Sequence, residues 1–306
     1  MATALDSIRV TPPSGANRPA WLGKPPLAVR VLKGIVIAAI VLIMLYPFAY
    51  VILSSFGAPT AQRQFGLFPS EWSTNAYKTI FAGGIVTRSL LVSAGVTLIG
   101  TVLSVGFTAM LAYGLTRTRQ VPFARAALIM VLLTMLFSAG IIPNFLLVKT
   151  LGLVDTYAAL IFPVLISAFN MIVMRNFFMQ LPSELFDAAR VDGAGEWRIF
   201  TSLVLPLSKA VLAVIGLFYA VGYWNAYFNP LIYLNDPAKW PIQLVLNQYV
   251  LQGSPMSQME NPDIGAVAPQ SVQMAIVVVA TLPILIVYPF VQKYFTKGVL
   301  TGAIKG

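Results

Sequence analysis

Residues Ser183–Pro206 read SELFDAARVDGAGEWRIFTSLVLP and hold four of the chain's ten acidic residues, Glu184, Asp187, Asp192 and Glu196. Long apolar runs flank the stretch on both sides. If those runs cross a membrane, the segment between them is a short structured loop in water, with the size and polarity of a docking surface rather than a tether. Its residues predict two short helices. Ser183 is placed to cap the first, Glu184 and Asp187 suit the positive end of its dipole, and the helix is expected to reach about Asp192. Leu185, Ala188 and Ala189 recur at three- and four-residue spacing and predict one apolar face. Gly193 can take the left-handed backbone that closes a helix, and Gly195 offers a second pivot. Trp197, Phe200 and Leu203 then share a face of a second amphipathic piece. Pro206 opens the next apolar run, where a missing N–H does no harm. These residues alone leave two readings, a convex knob for a partner protein or an interfacial helix pair lying on lipid.

Composition decides the setting. Hydrophobic residues make up 58% of the 306 and charged residues 10%, with mean hydropathy +0.80, so little polar surface is available to keep a globule in water. An all-α, polytopic membrane protein is expected. The formal charge of +10 invites comparison with nucleic-acid binders, but the 20 Lys and Arg are scattered between apolar runs and form no basic face. No nucleic-acid partner is expected, and membrane topology accounts for the charge better. The absence of Cys and His excludes disulfides, thiolate and imidazole metal sites, and nucleophilic mechanisms built on those groups. Residues 1–33, with Pro12, Pro13, Gly15 and Pro19, are too polar for a signal peptide and read as a cytoplasmic tail.

A bilayer core of about 30 Å needs about 20 apolar residues per helix, and six stretches qualify: 34–55, 89–115, 125–148, 155–175, 208–234 and 270–292. Residues 34–295 are thus expected to form the membrane domain, with 183–206 as its cytoplasmic loop and 296–306 as a C-terminal tail. Lys and Arg fall unevenly: five in the N-terminal tail, three around Arg117–Arg125, four from Arg175 to Lys209 and three in the C-terminal tail, fifteen on one side. Arg63, Lys78, Arg88, Lys149 and Lys239 fall on the other. The positive-inside rule then puts both termini in the cytoplasm.

Several residues within and between the spans stand out. Pro47 predicts a kink in the first span, and Pro59, Phe65, Phe68, Pro69 and Trp72 fill an outer loop whose aromatics suit the headgroup level. Gly100, Ser104, Thr108 and Ala112 recur every fourth residue in the second span, a packing seam where another backbone can approach. Asn144 and Asn170 put amides among aliphatics: Asn144, near the outer end, can be satisfied by water or offer itself to a ligand, and Asn170, nearer the inner half, suits helix-to-helix bonding over ligand contact. The fifth span ends in Tyr219, Tyr223, Trp224, Asn225, Tyr227, Phe228 and Asn229. Such rings stack on the apolar faces of a sugar and such amides bond its hydroxyls; an interfacial belt with packing amides is the competing reading. The outer loop Asn235–Pro269, with Asp236, Glu260 and Asp263, is either a docking surface or a solvated connection.

None of the six apolar cores contains Asp, Glu, Lys or Arg. Ion-coupled carriers commonly hold such groups at mid-membrane, and membrane hydrolases need paired carboxylates, a metal or an activated nucleophile. The chain also lacks a GxxxxGK[ST] phosphate loop. If it does driven work, energy must enter from another protein, and the 183–206 loop is where it could enter.

That loop resembles the cytoplasmic signature of membrane subunits in binding-protein-dependent ABC importers, whose pattern is Glu-Ala-Ala, three residues, Gly, nine residues, Ile, one residue, Leu-Pro. Here it reads Asp187-Ala188-Ala189, three residues, Gly193, nine residues, Leu203, Val204, Leu205-Pro206. Asp for Glu and Leu for Ile keep charge and apolarity. LFSAGIIPNFLLVKTLGLVDT (136–156), NMIVMRNFF (170–178), FYAVGYWNAYFNPLIY (218–233) and KGVLTGAIKG (297–306) are similar to carbohydrate-uptake permeases of the maltose-importer type, in the branch handling oligosaccharides. The resemblance implies a type I ABC importer fold in a bacterial cytoplasmic membrane. It implies a second, similar permease, two ATPase subunits that bind ATP and Mg, and an extracellular binding protein that delivers an oligosaccharide; this chain would bind no cofactor and have no catalytic residue. Glu184, Asp187, Ala188, Ala189, Asp192, Gly193, Leu205 and Pro206 would couple to an ATPase, and Tyr223, Trp224, Asn225, Asn229 and Asn144 are the candidates for the sugar path. An ABC permease for another solute and an ion-driven carrier are the alternatives.

Overall fold

A computed structural model describes residues 27–58, 68–69, 71–82, 84–117, 121–251 and 269–303. The expectations for the chain before residue 27, for Pro59 and Phe65, and for Glu260 and Asp263 lie outside the described residues. The chain divides into two units, Met1–Tyr50 and Val51–Gly306. α1 (Leu27–Ser55) begins in the first unit; it is 29 residues long, and Pro47 lies inside a continuous helix. At about 1.5 Å per residue it is long enough to cross a bilayer.

The second unit starts with α2 (Asn75–Ala82) and α3 (Ile85–Thr116), a single helix of 32 residues. The third apolar stretch is interrupted, not continuous as expected. α4 (Ala124–Leu136) stops at Phe137, whose backbone is extended, and α5 (Ile141–Thr150) starts after Gly140 at φ 84. Pro143 suits the break: its ring would crowd the carbonyl four residues back in a continuous helix, and in the first turn of α5, where it sits, that clash is absent.

The fourth stretch is also broken. α6 (Ala158–Ile161) runs into a 3-10 turn at Phe162–Val164 containing Pro163, and meets α7 (Ala168–Phe178) at 54°. Then come α8 (Ser183–Val191) and α9 (Glu196–Leu207), which meets α10 (Lys209–Trp224) at 83°. Within α9, Phe200–Val204 widen into a π turn just ahead of Pro206. A proline crowds the carbonyl four residues earlier, here that of Ser202, and the wider turn relieves it. Pro206 therefore lies inside the bent fifth stretch and not at its start. After α10 the chain breaks at Asn225–Tyr227, then forms α11 (Phe228–Tyr233), a 3-10 turn at Pro237–Lys239, α12 (Ile242–Leu251) and α13 (Pro269–Ala303). α13 is 35 residues long and carries the sixth stretch through the expected tail boundary at residue 296.

Among the described residues, three helices are long and apolar enough to cross a membrane, or up to five when each bent pair counts as one span. All six expected stretches are helical, the third as two short apolar helices. The chain is an all-α, multi-pass membrane protein.

The core forms where α3 meets α10. Gly100, Ser104, Thr108 and Ala112 lie buried along one face of α3, as their spacing predicts. A Cβ on Gly100 would stand 2.8 Å from ring carbons of Tyr223, so only glycine admits the ring. The Tyr223 hydroxyl shares a hydrogen bond with Ser104 Oγ at 2.8 Å, and the Tyr219 hydroxyl one with Thr108 Oγ1 at 2.7 Å. The same phenols reach the broken fourth stretch. Tyr219 Oη accepts the Ser167 N–H at 2.8 Å, and Tyr223 Oη donates to the Ile161 carbonyl at 3.5 Å. Backbone freed from a helix at membrane depth must find partners in the protein, and two tyrosines supply them.

Candidate functional site

The 183–206 loop is built as two limbs and a turn. Pro182, not Ser183, occupies the cap position of α8, and its fixed φ of −56° sets the entry to the helix; the expectation that Ser183 caps it is corrected. Glu184 in the first turn and Arg190 in the last match the helix dipole, and Arg190 Nη1 donates to Asp187 Oδ1 at 3.1 Å. The helix ends at Val191 with Asp192 as its C-cap. Gly193 is left-handed at φ 76; its N–H bonds the Arg190 carbonyl and the Ala194 N–H bonds the Ala189 carbonyl, at 3.0 and 2.9 Å. This paired closure is the Schellman motif, and it needs a residue without Cβ strain at position 193. Gly195, at φ −69 and ψ 164, is in ordinary extended backbone and is not a second glycine-requiring pivot.

The apolar face of α8 differs from expectation in direction. Phe186 and Ala189 pack against the core, whereas Leu185 and Ala188 are exposed together with Val191, which is 88% exposed. These three, spaced by three residues, form an apolar strip pointing away from the chain. Across the turn, Ile199, Phe200 and Val204 are buried and Leu203 is half-buried, but Trp197 is 67% exposed, its ring tilted against Phe200 at 5.6 Å. Trp197 thus belongs to the outward surface and not to the packed face. Of the motif's last residues, Leu205 packs against the core and Pro206 is exposed.

One side chain of α3 holds both limbs. Arg117, the C-cap of α3, pairs through Nη1 with Glu196 Oε1 and donates from Nη2 to Tyr113 Oη at 2.7 Å, while Tyr113 Oη donates to Glu196 Oε2 at 2.7 Å. Its guanidinium lies over the rings of Tyr113 and Phe186, 4.9 and 5.6 Å from their centroids. Arg190 Nη2 also approaches Glu196 at 3.8 Å. Sequence reasoning missed Arg117 and Glu196 as a pair, since 79 residues separate them.

The residues expected along a sugar path are not all brought together. Tyr223 and Trp224 are buried inside this chain: Tyr223 is the seam residue described above, and the Trp224 indole N–H donates to the Ala280 carbonyl of α13 at 3.0 Å. Asn225 is exposed at the break after α10, where its Oδ1 accepts from Gln243 Nε2 at 3.5 Å. Asn229 is half-buried on α11 and Asn144 exposed on α5; these two helices touch through stacked rings of Phe145 and Tyr233, 6.3 Å apart. The break Phe137–Gly140 that precedes α5 is exposed on the single chain.

At the same end, Asp155 ties two loops. It sits at φ 63 in a turn before α6, so the fourth stretch starts later than residue 155. Its Oδ1 accepts the N–H groups of Asn235 and Asp236, each at 3.1 Å, and Lys239 Nζ donates to its Oδ2 and carbonyl at 2.6 and 2.8 Å. The Lys239 hydrogen bond, then the backbone donors, hold the Asp155 carboxyl below its usual range, and the same pairing raises the Lys239 ammonium.

Comparison with known proteins accords with this architecture. Residues 110–301 match the family described as binding-protein-dependent transport system inner membrane component. The chain is 47% identical over 270 residues to the polygalacturonan/rhamnogalacturonan transport system permease protein YtcP of Bacillus subtilis (strain 168), covering 87% of this chain and 94% of that one. It is 46% identical over 267 residues to Protein LplC of the same strain, covering 86% and 90% of the two chains. A chain in the crystal structure of a bacterial ABC transporter that imports the acidic polysaccharide alginate superposes with a TM-score of 0.82 at 30% identity, over 88% of this chain and 96% of that one. The chain therefore belongs to the inner-membrane, or permease, components of binding-protein-dependent transport systems.

Proposed function

We propose that this chain forms half of the translocation path of an ATP-driven importer of oligosaccharides, with acidic, uronate-type chains as its substrate class. The observation that carries the reading is the outward apolar strip Leu185, Ala188 and Val191 with Trp197 beside it, presented on a loop closed by the Gly193 turn. An apolar strip held rigidly clear of its own chain suits a cleft in a partner. Following the ABC importer resemblance, the partner is an ATPase subunit that binds ATP and Mg, and Glu184, Asp187, Ala188, Ala189, Asp192 and Gly193 form the docked element. The sequence has no phosphate-binding loop of its own, and no cofactor is assigned to it. A second permease chain, a second ATPase and an extracellular binding protein complete the assembly. In the bacterial cytoplasmic membrane the loop and both termini face the cytoplasm, a reading supported by the charge asymmetry.

The path is assigned to the side where the spans are broken. Non-helical backbone at membrane depth survives only against protein or water. The exposed break Phe137–Gly140 therefore lines the path or meets the second permease, with Asn144 one turn beyond it, and Asn144, Asn225 and Asn229 are the candidate hydrogen-bonding groups for hydroxyls. Tyr223 acts from behind, by holding the broken fourth stretch, and Trp224 ties the end of α10 to α13. The uronate reading is supported by the names of the relatives and by apolar cores free of Asp and Glu, which leave no carboxylate to repel an anionic sugar.

The test is uptake by the reconstituted assembly, with its binding protein outside and ATP inside, of oligogalacturonate against a neutral oligosaccharide of equal length. Uptake of the acidic chain is expected to dominate. Equal or greater uptake of the neutral one contradicts the uronate assignment, and uptake driven by an ion gradient without ATP contradicts the importer. In the same vesicles, Gly193→Asp is expected to abolish uptake while ATP hydrolysis continues, because it puts bulk and charge on a left-handed turn. Normal uptake at normal expression overturns the coupling role.

A further inference from the structure

A docked knob does work only if something stiff connects it to the spans. The loop joins its neighbours in sequence through Met179–Pro182 on one side and through the 83° bend at Ser208 on the other. Neither connection runs to α3, the helix at the centre of the core. The link to α3 is made by side chains, and they converge on Arg117. Its side chain is 12% exposed, and it touches Phe186 on the first limb and Glu196 on the second, while Tyr113 Oη completes the triangle from α3. Phe200 of the second limb adds its ring against Tyr113, 5.2 Å between centroids. Arg175 Nε, donating at 2.8 Å to the Leu115 carbonyl, fixes α7 to the same end of α3.

We propose that Arg117 is the positioning residue that makes α3 move with the knob, and that Glu196 is its counterpart in the loop; this rests on the reading that the loop docks an ATPase. Guanidinium suits the task because it is planar and permanently charged. It stacks on two rings and pairs with a carboxylate at once, so the two limbs and α3 become one body. From α3 the displacement reaches α10 and the broken fourth span through the Ser104–Tyr223 and Thr108–Tyr219 pairs. Without Arg117 the knob can still dock and still pull on α10 through the bend at Ser208, but α3 no longer follows. ATP is then hydrolysed with little transport.

The experiment measures uptake per ATP hydrolysed by the complete assembly in proteoliposomes, for Arg117→Gln, Glu196→Gln and the double variant, with Gly193→Asp as reference. Coupling free energies of the usual size correspond to roughly fivefold or more. Each single variant is therefore expected to lower uptake per ATP at least that much at wild-type assembly, with the double variant no worse than Arg117→Gln. The chain has no native cysteine, so Arg117→Cys/Glu196→Cys can be bridged by a short bis-methanethiosulfonate. The unbridged pair is expected to be uncoupled, and bridging to restore uptake per ATP, which a merely structural contribution to folding would not do. If Arg117→Gln fails to assemble, Glu196→Gln, altered at a half-exposed carboxylate, and the bridged pair decide the matter. Unchanged ratios in the Arg117 and Glu196 variants while Gly193→Asp uncouples overturn the relay and leave the docking reading standing. Unchanged ratios in all of them, Gly193→Asp included, overturn both.

Discussion

The second and third apolar stretches are alike in composition and opposite in use. α3 is one unbroken helix with a buried stripe of small residues, in which Ser104 and Thr108 each bond a tyrosine of α10. α4 and α5 are two short helices around an extended break, and most of their residues are exposed on the single chain. The first region is packed within the chain. The second is exposed on the single chain, and on the proposed reading a second permease or the wet path covers its break. Packing within the chain is therefore concentrated at α3–α10 and is sparse at α4–α5.

This contrast can be broken by substitution. Gly100→Ala is expected to have the largest effect, since a Cβ there meets Tyr223 at 2.8 Å. Overpacking of this kind costs about 1–3 kcal/mol, read as a fall in the melting temperature of the detergent-solubilised chain. An unchanged melting temperature contradicts the seam. Tyr219→Phe removes the bonds to Thr108 and to the Ser167 N–H, and is expected to cost about 1 kcal/mol on the same assay. Leu133→Ala in α4 should change the isolated chain by less than about 0.5 kcal/mol, yet reduce recovery of the second permease in pull-downs. A large loss of stability in the isolated chain would mean that α4 is packed within it.

The smallest effect is expected at the Asp155 knot. Its folded carboxyl titrates below the ordinary carboxylate value, so its contribution is fully present above pH about 4 and is lost as pH falls through the folded value. The melting temperature should drop in that acid window for the wild type and not for Asp155→Asn. Matching acid profiles contradict the assignment.

Much of this was legible in the sequence, for physical reasons that differ by region. The Gly100–Ala112 stripe was visible because small residues every fourth position have one use in an apolar helix. The Gly193 turn was visible because the motif's spacing and glycine's conformational freedom agree. The breaks were not, although Pro143, Pro163 and Pro206 were all in view, because a proline in a membrane helix permits a kink, a π turn or a full interruption, and neighbours decide which. Tyr223 and Trp224 looked like sugar-binding groups because the chemistry that suits a sugar, an apolar ring with a polar tip, also suits a buried junction of broken helices. The Arg117–Glu196 pair had no local signal at all.

The central claim, that the loop meets an ATPase while α4–α5 meets the path or a second permease, is tested most directly by photo-crosslinking. A photoreactive residue at Val191 and another at Leu136 would be introduced separately into the tagged chain in its native host, and the crosslinked products identified by mass spectrometry. Both positions are strongly exposed, at 88% and 78%. The account predicts an ATP-binding subunit captured from Val191 and a homologous permease or the sugar captured from Leu136. Capture of lipid alone from Val191, under conditions where Leu136 still captures a permease, would make the knob an interfacial segment and contradict the account.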